Sequence, residues 1–374
     1  MRKKIIFNRR LILQNPSRKE KALIEPNEAY LFNTDQLSLF RRMYNFSIKE
    51  VEDMNWITPT PLREAKNILI YRVGGIGDIL FLFPYLSSIK KINPNCKISF
   101  ICGLEIISIL DICPHIDVKI PEPVKYDDII KANYDKIIVC ERFIEENPES
   151  EYIHAMDLPK DTFFEGIERG PIESTFSLSD PIGDKIHIAI AYSCSALIRE
   201  ISPSIWFDFI RQLEYDKFRV TLVAPVDKFQ DIEDVSEEIR KHNPKLELRR
   251  LCNESLLEVI KTTLNFDRPL IAIGADSGLV NLWGYHGIPV IGLYGPFESK
   301  LRLKYYKNAI GIDAITNCLF GKNENGSCFV HSTKSCDLAQ YKEELHSPCL
   351  HLINADHIRH AVNYFTKLLY TNQV

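Results

Sequence analysis

The sequence predicts an α/β protein with two domains, each built on a parallel sheet. Short apolar strands alternate with amphipathic helices over residues 67–140, and the same alternation returns over residues 187–295. A looser stretch with four prolines, residues 141–184, separates the two parts. The chain has 374 residues, which is enough for two hydrophobic cores of ordinary size.

Composition limits the classes of function. The apolar content of 45% and charged content of 26% are typical of a globular protein in water, and the net charge of -4 gives no general attraction to nucleic acid. The apolar run at the amino terminus is interrupted at Asn8 after three residues, too early for a secretory signal. Apolar runs elsewhere stay well short of the roughly 20 residues of a membrane span. We therefore predict a cytoplasmic protein that does not bind nucleic acid.

The elements of the first half follow from apolar runs and their punctuation. Residues 1–65 predict an N-terminal extension of short strands and one helix (SLFRRMYNF). Residues 66–184 predict the first domain. Its expected strands are NILIY, KISFIC, DVKI and KIIVC, and its expected helices are LFLFPYLSSIKKI and GLEIISILDIC.

The second half repeats the pattern. Residues 185–352 predict the second domain, with a cysteine-rich insertion at 316–350, and residues 353–374 predict a C-terminal helix. The expected strands are HIAIAYS, VTLVAP, LELRRL, PLIAIGA and PVIGLYG, and the helices between them are SIWFDFIRQL, DIEDVSEEIRKH, SLLEVIKTTL and LVNLWGYHG.

A glycine-rich turn joins the first strand of the first domain to its helix. The stretch YRVGGIGDILFLFP contains Gly74, Gly75, Gly77 and Asp78. Three glycines let a ligand approach the backbone closely, and a carboxylate at the carboxyl edge of a parallel sheet can act as general base on a hydroxyl. A helix cap is the alternative role for Asp78. The glycine spacing does not fit the dinucleotide pattern G-x-G-x-x-G, and the next strand ends in Cys102 instead of an acidic residue, so NAD binding is disfavoured.

These residues fall in the register of a known family. The stretch from NILIY to Gly103 resembles the opening of glycosyltransferase family 9, the heptosyltransferase family, and ADSGLVNLWGYHGIPVIGLYGPF resembles a later motif of the same family. Matching positions in the two motifs are Arg72, Gly74, Gly77, Asp78, Pro84, Pro94 and Gly103, then Asp276, Ser277, Gly278, Leu282, Pro289, Leu293, Gly295 and Pro296.

Three departures from the family pattern stand out. Asn281 occupies the place of a histidine, and Arg199 occupies the place of a lysine seven residues before Trp206. Ile201 and Ser202 stand where Trp-Pro is usual. Arginine keeps the positive charge but replaces the compact ammonium group of lysine by a planar guanidinium whose N–H donors form a fork.

The resemblance implies a GT-B fold, in which two Rossmann-like domains face a cleft. The first domain would hold the acceptor at Gly74, Gly75 and Gly77, with Asp78 as catalytic base. The second would bind ADP-heptose, and the transfer would invert the anomeric carbon without a cofactor for the chemistry. The donor-binding residues expected there are Arg199, Ser193, Asp276, Ser277 and Gly278, because a helix start supplies N–H groups to a diphosphate and a guanidinium can stabilise it.

Four late cysteines form a separate group. They are spaced C-x9-C-x7-C-x12-C in a polar segment, and disulfides are disfavoured in a reducing compartment. Four thiolates suit tetrahedral zinc or iron, so we predict a structural metal site. The segment resembles that of the autotransporter heptosyltransferases, which modify protein serines and hold iron there. The predicted ligands are Cys318, Cys328, Cys336 and Cys349.

The acceptor and the oligomeric state stay open in the sequence. The extension and the cysteine segment favour a protein acceptor over a lipopolysaccharide core sugar, and a homo-oligomer is compatible with either. A non-catalytic scaffold that binds sugar nucleotides is the competing hypothesis, because Asn281 and Ile201 depart from the family pattern. Retention of Asp78 favours an enzyme.

Overall fold

A computed structural model describes most of the chain, in ten ranges. They are residues 2–7, 11–14, 21–33, 48–53, 60–144, 147–176, 184–252, 254–266, 270–314 and 336–371. The helix predicted at SLFRRMYNF lies outside them, as do Cys318 and Cys328. The described residues form two compact units. The first unit draws on 1–75, 82–143 and 159–175, and the second on 76–81, 144–158 and 176–374.

The first unit contains a parallel sheet with strand order β10-β6-β7-β8. The chain enters it at a central strand, continues to one edge, and returns to pair its last strand on the other side of the first. In chain order this is 4-1-2-3, which read from the other edge is the order 3-2-1-4 of the first four strands of a Rossmann fold. The strands are β6 (Asn67–Tyr71), β7 (Lys97–Gly103), β8 (Val118–Glu122) and β10 (Lys136–Val139).

Helix α1 (Ile76–Ile92) follows the glycine turn, as predicted. The segment GLEIISILDIC, predicted as an ordinary helix, forms a 3-10 helix over Leu104–Ile112. Its buried residues include Ile106, Ile109 and Ile112, and this spacing of three matches the three residues per turn of a 3-10 helix. Two short helices complete the described part of the unit, α2 (Tyr126–Lys131) and α3 (Pro159–Phe163).

The N-terminal extension forms strands, as expected, and is joined to the first unit. An antiparallel sheet has the order β5-β1-β4-β9, and β9 belongs to the body of the unit. Leu31 of β4 packs in one apolar cluster with Leu69 and Tyr71 of β6. The strands are β1 (Arg2–Phe7), β4 (Ala29–Asn33), β5 (Ile48–Asp53) and β9 (Val124–Lys125), and β2 (Leu11–Gln14) pairs separately with β3 (Lys21–Ile24).

The second unit contains a larger parallel sheet with the order β13-β12-β11-β14-β15-β16. In chain order this is 3-2-1-4-5-6, the strand order of a complete Rossmann fold. Its last strand was not predicted from the sequence. The strands are β11 (Ile186–Ala191), β12 (Phe218–Val223), β13 (Glu247–Leu251), β14 (Leu270–Ala275), β15 (Val290–Tyr294) and β16 (Ala309–Asp313).

Every residue of β11 and β14 is buried, as expected for central strands covered on both faces. The C-terminal helix α10 packs its apolar stripe, including Ile358 and Phe365, into the same core as Trp206. The helices are α4 (Pro203–Ile210), α5 (Phe229–His242), α6 (Leu256–Leu264), α7 (Gly278–Tyr285), α8 (Lys300–Leu303), α9 (Asp337–Tyr341) and α10 (Ala355–Tyr370).

The predicted α/β fold with two Rossmann-like sheets is confirmed. Within the residues described, helices long and apolar enough to cross a bilayer are absent. In both parallel sheets the strand order reverses beside the first strand, at the β6/β10 pair and at the β11/β14 pair. Such a switch point is where open α/β sheets bind ligands, outside the carboxyl ends of the strands. Asp276, directly after β14, and Ser193, two residues after β11, follow the strands at the second of these edges.

Candidate active site

The switch point of the first sheet is formed by the residues after β6 and β10. The Val73 N–H donates a hydrogen bond to Glu141 Oε1 at 2.7 Å, which ties the glycine turn to the end of the neighbouring strand. Gly75 is exposed at the tip of the turn, and Asp78 is half-buried in the first turn of α1. Glu141 was not singled out in the sequence.

Gly74 has a packing role in this turn. A Cβ atom on Gly74 would lie 2.6 Å from Nε of Arg72, so the side chain of Arg72 occupies that space. Arg72 is almost completely buried, with its guanidinium 5.2 Å from the centre of the Phe143 ring. The glycine is needed here because an arginine folds back over the turn.

The switch point of the second sheet brings together two predicted donor residues. Arg199 lies in a 3-10 turn, Leu197–Arg199, after β11, and Asp276 directly follows β14. Nη1 of Arg199 donates to Asp276 Oδ2 at 2.5 Å and to the Asp276 carbonyl at 3.1 Å. Nη2 donates to Ser195 Oγ at 2.7 Å, a contact that sequence reasoning missed.

Neighbouring negative groups stabilise the positive charge of Arg199. Burial by itself lowers the pKa of this guanidinium, but the negative charge of Asp276 opposes it, with smaller contributions from Cys194 and Asp78. The net result is a raised pKa for Arg199. The influence of Asp78 is informative, because it places the predicted base within electrostatic range of the predicted donor-binding cation.

Asp276 is itself held between two guanidinium groups. Arg302, from α8, lies with Nε 3.9 Å from Asp276 Oδ1, on the other side of the carboxylate from Arg199. Arg302 is only 3% exposed. It was missed because nothing in the motifs marks it. The available signal was a single charge between two leucines, Leu301 and Leu303, in a segment that follows the predicted site.

The start of α7 is built from predicted donor residues. Ser277 is its N-cap, with Oγ accepting from the Val280 N–H at 3.4 Å. Asn281, which stands in the place of the family histidine, donates to the Ser277 carbonyl at 3.0 Å and accepts from Tyr306 at 3.1 Å. Its side chain is buried, so Asn281 stabilises the first turn of the helix from behind.

Two of the predicted glycines lie against neighbouring residues. A Cβ atom on Gly278 would lie 2.7 Å from Cβ of Ile76, and one on Gly77 would lie 3.2 Å from Nδ2 of Asn281. The start of α1 and the start of α7 therefore approach each other within the second unit. This approach agrees with the electrostatic influence of Asp78 on Arg199.

Ser193 and Cys194 complete the segment between β11 and Arg199. Ser193 is half-buried two residues beyond the strand, at the same sheet edge as Asp276. Burial raises the pKa of the Cys194 thiol to about 11, although the nearby Arg199 acts to lower it. Its thiol donates to the Ala196 carbonyl at 3.1 Å. Cys194 is thus a neutral thiol beside the cation.

No family model matches the sequence, and no curated protein sequence matches it either. Solved structures do resemble the fold. A family 9 glycosyltransferase from Veillonella parvula aligns with a TM-score of 0.55 and 12% identity over 80% of this chain and 96% of its own. The E. coli ADP-heptose lipopolysaccharide heptosyltransferase II aligns with a TM-score of 0.57 and 12% identity over 82% of this chain and 100% of its own. The chain has the fold of the family 9 glycosyltransferases.

A third structure of this fold covers more of the chain. The dodecameric, iron-containing heptosyltransferase TibC, in complex with ADP-D-β-D-heptose, aligns with a TM-score of 0.54 and 13% identity over 99% of this chain and 92% of its own. A second TibC structure, from enterotoxigenic E. coli, aligns over 98% of this chain and 91% of its own. The two structures described before it leave close to a fifth of this chain outside the alignment.

The predicted metal ligands are only partly described. Cys336 and Cys349 are half-buried thiols, and Sγ of Cys349 lies 3.0 Å from the position of a Cβ on Gly295. The described stretches of the chain hold no group of three or more histidine, cysteine or acidic side chains arranged for a metal ion. Because Cys318 and Cys328 lie outside those stretches, the tetrathiolate site stays a prediction. The six earlier cysteines are buried or half-buried, as expected for small apolar residues.

Proposed function

We propose that the protein is an inverting glycosyltransferase that moves a heptose from ADP-heptose to an acceptor hydroxyl, with a protein as the acceptor. The observation that carries the proposal is the cluster at the β11/β14 switch point. There Arg199 and Asp276 meet, α7 begins, and Asp78 lies within electrostatic range. A cation, a helix start and a carboxylate base are the groups that such a transfer needs.

Donor binding would use the second unit. A helix start offers N–H groups and the positive end of its dipole to an anion, and α7 begins at Gly278 directly beside Arg199's partner Asp276. The guanidinium of Arg199 would stabilise the negative charge that develops on the departing ADP. Ser193 lies on the same edge and would contact a phosphate oxygen. No metal ion is needed for this role of Arg199.

Acceptor activation would use Asp78. The carboxylate takes a proton from the acceptor hydroxyl as its oxygen attacks the anomeric carbon, and the bond to ADP breaks on the opposite face, which inverts the configuration. The exposed Gly75 leaves the backbone open to an acceptor beside it. The helix-cap role of Asp78 is compatible with this one, since a carboxylate in a first turn also complements the helix dipole.

We propose a protein acceptor because the N-terminal extension and the cysteine segment resemble those of the autotransporter heptosyltransferases. The alignment to TibC includes nearly the whole chain, whereas the alignment to the lipopolysaccharide enzyme leaves about a fifth of it outside. Among the described residues of the N-terminal extension, Leu31 packs in one apolar cluster with Leu69 and Tyr71 of β6. An extension of this kind would help to recruit a macromolecular acceptor. A lipopolysaccharide core sugar is the second candidate acceptor.

Two further properties belong to the proposal. A structural iron or zinc would be held by Cys318, Cys328, Cys336 and Cys349, supported by the four-thiolate composition and by the iron in TibC. The protein would form a homo-oligomer, as TibC does. Neither property enters the transfer chemistry. Metal analysis of the purified protein and its mass in solution test them directly.

A thermal-shift panel tests the donor. The full-length protein is heated with ADP-heptose, ADP, UDP-sugars, GDP-sugars or NAD, with the Arg199→Met variant as control. A ligand at 100 times its dissociation constant stabilises the folded state by about 2.7 kcal/mol. We expect shifts with ADP and ADP-heptose that weaken in the variant. A shift with a uridine or guanosine nucleotide would overturn the heptose assignment, and no shift at all would favour a different function.

Labelled heptose then tests the acceptor. Radiolabelled ADP-heptose is incubated with the enzyme and a bacterial lysate, and the label is followed into protein and lipid fractions. Incorporation into protein that resists delipidation supports the proposal. Incorporation into the lipopolysaccharide fraction alone would replace it with the second candidate, and no incorporation with a bound donor would favour the non-catalytic scaffold.

A further inference from the structure

The Asp276 carboxylate lies between two cations of different character. Arg199 reaches it from the sheet edge with 15% of its side chain exposed, so it can meet a ligand. Arg302 approaches the other oxygen and is 3% exposed, which leaves it no room to touch a ligand itself. The motifs that predicted the donor site account for Arg199 and Asp276 but not for Arg302.

Arg302 is held firmly in this buried position. Its guanidinium stacks at 4.6 Å from the centre of the Phe297 ring, and its Nη1 donates to the Leu301 carbonyl at 3.0 Å. The same carbonyl accepts from the Ala155 N–H at 3.2 Å, so a second segment of the unit fixes the turn that carries Arg302. Burying a charge is costly unless it is compensated, so a position held by this many contacts indicates a specific role.

The balance of charge suggests that role. Arg199 and Asp276 form a pair that is neutral as a whole, and the half-buried Asp78 adds a negative charge within range of Arg199. Without Arg302 these groups would present a net charge of about -1 to an incoming diphosphate, a repulsion that a site of low dielectric strengthens. Arg302 brings the four groups to neutrality. Asp313 is exposed and accepts two hydrogen bonds from Ser299, so water screens its charge.

Arg302 also affects how strongly Asp276 competes with a ligand for Arg199. A carboxylate pulled only by Arg199 would compete with the ligand for that guanidinium. A second cation at Oδ1 shares the negative charge of Asp276 and leaves more of the Arg199 charge for phosphate oxygens. The effect grows with the charge of the ligand, because Coulomb energies scale with charge.

We propose that Arg302 is a positioning residue that enables the donor site to accept a nucleoside diphosphate, by balancing the charges of Asp276 and Asp78. The inference rests on the proposed function and deepens it, since it assigns the preference for a doubly phosphorylated donor to a buried side chain outside the recognised motifs.

A charge series of ligands tests the proposal. Adenosine, AMP and ADP are titrated calorimetrically into the full-length protein and into Arg302→Met and Arg302→Lys. We expect Arg302→Met to weaken the binding of ADP by about tenfold, which corresponds to about 1.4 kcal/mol. The binding of AMP should weaken by a smaller factor, and that of adenosine by less than about twofold. Arg302→Lys keeps the positive charge but loses the planar group that stacks on Phe297, so it should recover part of the ADP affinity.

A matched control separates local from general electrostatics. Arg211 is also paired with an aspartate and stacked on a phenylalanine, Phe207, but it is exposed at the end of α4. Arg211→Met removes the same charge and should leave all three affinities unchanged. Thermal melting of each variant checks that it unfolds cooperatively.

Each outcome of the titrations either supports or contradicts the proposed role of Arg302. A graded loss that follows ligand charge, with rescue by lysine, supports the proposal. An equal loss for all three ligands means that Arg302 only maintains the structure, and unchanged affinities mean that it has no role at the site. Failure of the lysine rescue also overturns a role based on charge.

The proposed function is tested by the wild-type protein in the same experiment. Wild-type protein that binds no nucleotide refutes the donor assignment, and the inference falls with it. Where the thermal-shift panel shows binding of a uridine or guanosine nucleotide instead, ADP-heptose alone is refuted, and the series is then run with that base. Wild-type binding of ADP with no graded loss in Arg302→Met refutes the inference and leaves the proposed function intact.

Discussion

The two Rossmann-like sheets have the same strand order around their switch points but use arginine in opposite ways. At the β6/β10 edge, Arg72 folds back over Gly74 and is buried against Phe143. At the β11/β14 edge, Arg199 reaches outward to Asp276 and keeps part of its side chain exposed. The first arginine shapes a turn, and the second is the one that we propose to offer its charge to a ligand.

Under the proposed function, this difference assigns one task to each edge. The first edge is exposed at Gly75, and the helix that follows it has the carboxylate of Asp78 in its first turn. The second edge concentrates charged groups around the start of α7. An acceptor hydroxyl needs space and a base, whereas a diphosphate needs cations and N–H groups. The same switch-point topology can supply either, because the residues after the strands decide the chemistry.

The largest expected effect concerns Asp78. Asp78→Asn removes the base but keeps the size of the side chain, so we expect the transfer rate to fall by about 10²- to 10⁴-fold while ADP binding is retained. The measurement is labelled heptose transfer at saturating donor, with ADP titration in parallel. Glu141→Gln is the matched control, since an amide oxygen can still accept from the Val73 N–H. Full activity of Asp78→Asn would leave Asp78 as a helix cap only.

The next largest expected effect distinguishes Arg199 from Arg72. Arg199→Met should weaken ADP by about 10- to 100-fold, because a charge-assisted contact contributes about 1.5–3 kcal/mol. Arg72→Met should leave ADP affinity within about threefold and instead lower the free energy of unfolding by about 1–3 kcal/mol through lost packing. Calorimetric titration and urea denaturation of both variants measure these quantities. Equal effects of the two substitutions on ADP affinity would remove the distinction.

Two glycines sharpen the comparison on stability. Gly278→Ala places a Cβ atom 2.7 Å from Cβ of Ile76, so we expect a loss of about 1–3 kcal/mol in the free energy of unfolding. Gly77→Ala meets Asn281 at 3.2 Å and gains helix propensity, so its net effect should stay within about 1 kcal/mol. Urea denaturation of the two variants, run side by side, measures both changes in the free energy of unfolding. A larger loss for Gly77→Ala would contradict the packing described here.

The prediction furthest from the transfer chemistry is a pH dependence at Cys194. Burial raises its pKa to about 11, so at pH 8 its alkylation by iodoacetamide should be on the order of a hundredfold slower than that of a free cysteine. The rate should rise with pH until about 11, as the thiolate forms. Because the folded pKa is raised, the neutral thiol contributes stability below about pH 9 that is lost as the pH rises through 11.

Arg199→Met links this measurement to the site. Arg199 lowers the pKa of Cys194, so its removal should slow the alkylation of Cys194 further at a given pH. Peptide mapping by mass spectrometry identifies the labelled residue among the other cysteines. Faster alkylation in the variant would mean that Arg199 acts by covering the thiol, not by its charge.

Most of the fold could be predicted from local pattern. The strands β6, β7, β11, β12 and β14 are apolar runs that central positions in a sheet require, and helix α10 shows an uninterrupted amphipathic repeat. The edge strand β16 was not predicted, because its residues are half-buried or exposed and carry no comparable apolar signal. The 3-10 helix was mistaken for an ordinary one because both have helical apolar spacing.

The sequence alone determined the order of the two α/β halves and the identity of the residues after their strands, since apolar periodicity and glycine placement are local properties. Only the tertiary structure decided which charges meet. Arg199, Asp276 and Arg302 are far apart in the chain, and their association depends on strand order and on the turn that carries α8. No local pattern encodes such a pairing, because burial and electrostatic range are set by the packing of the whole unit.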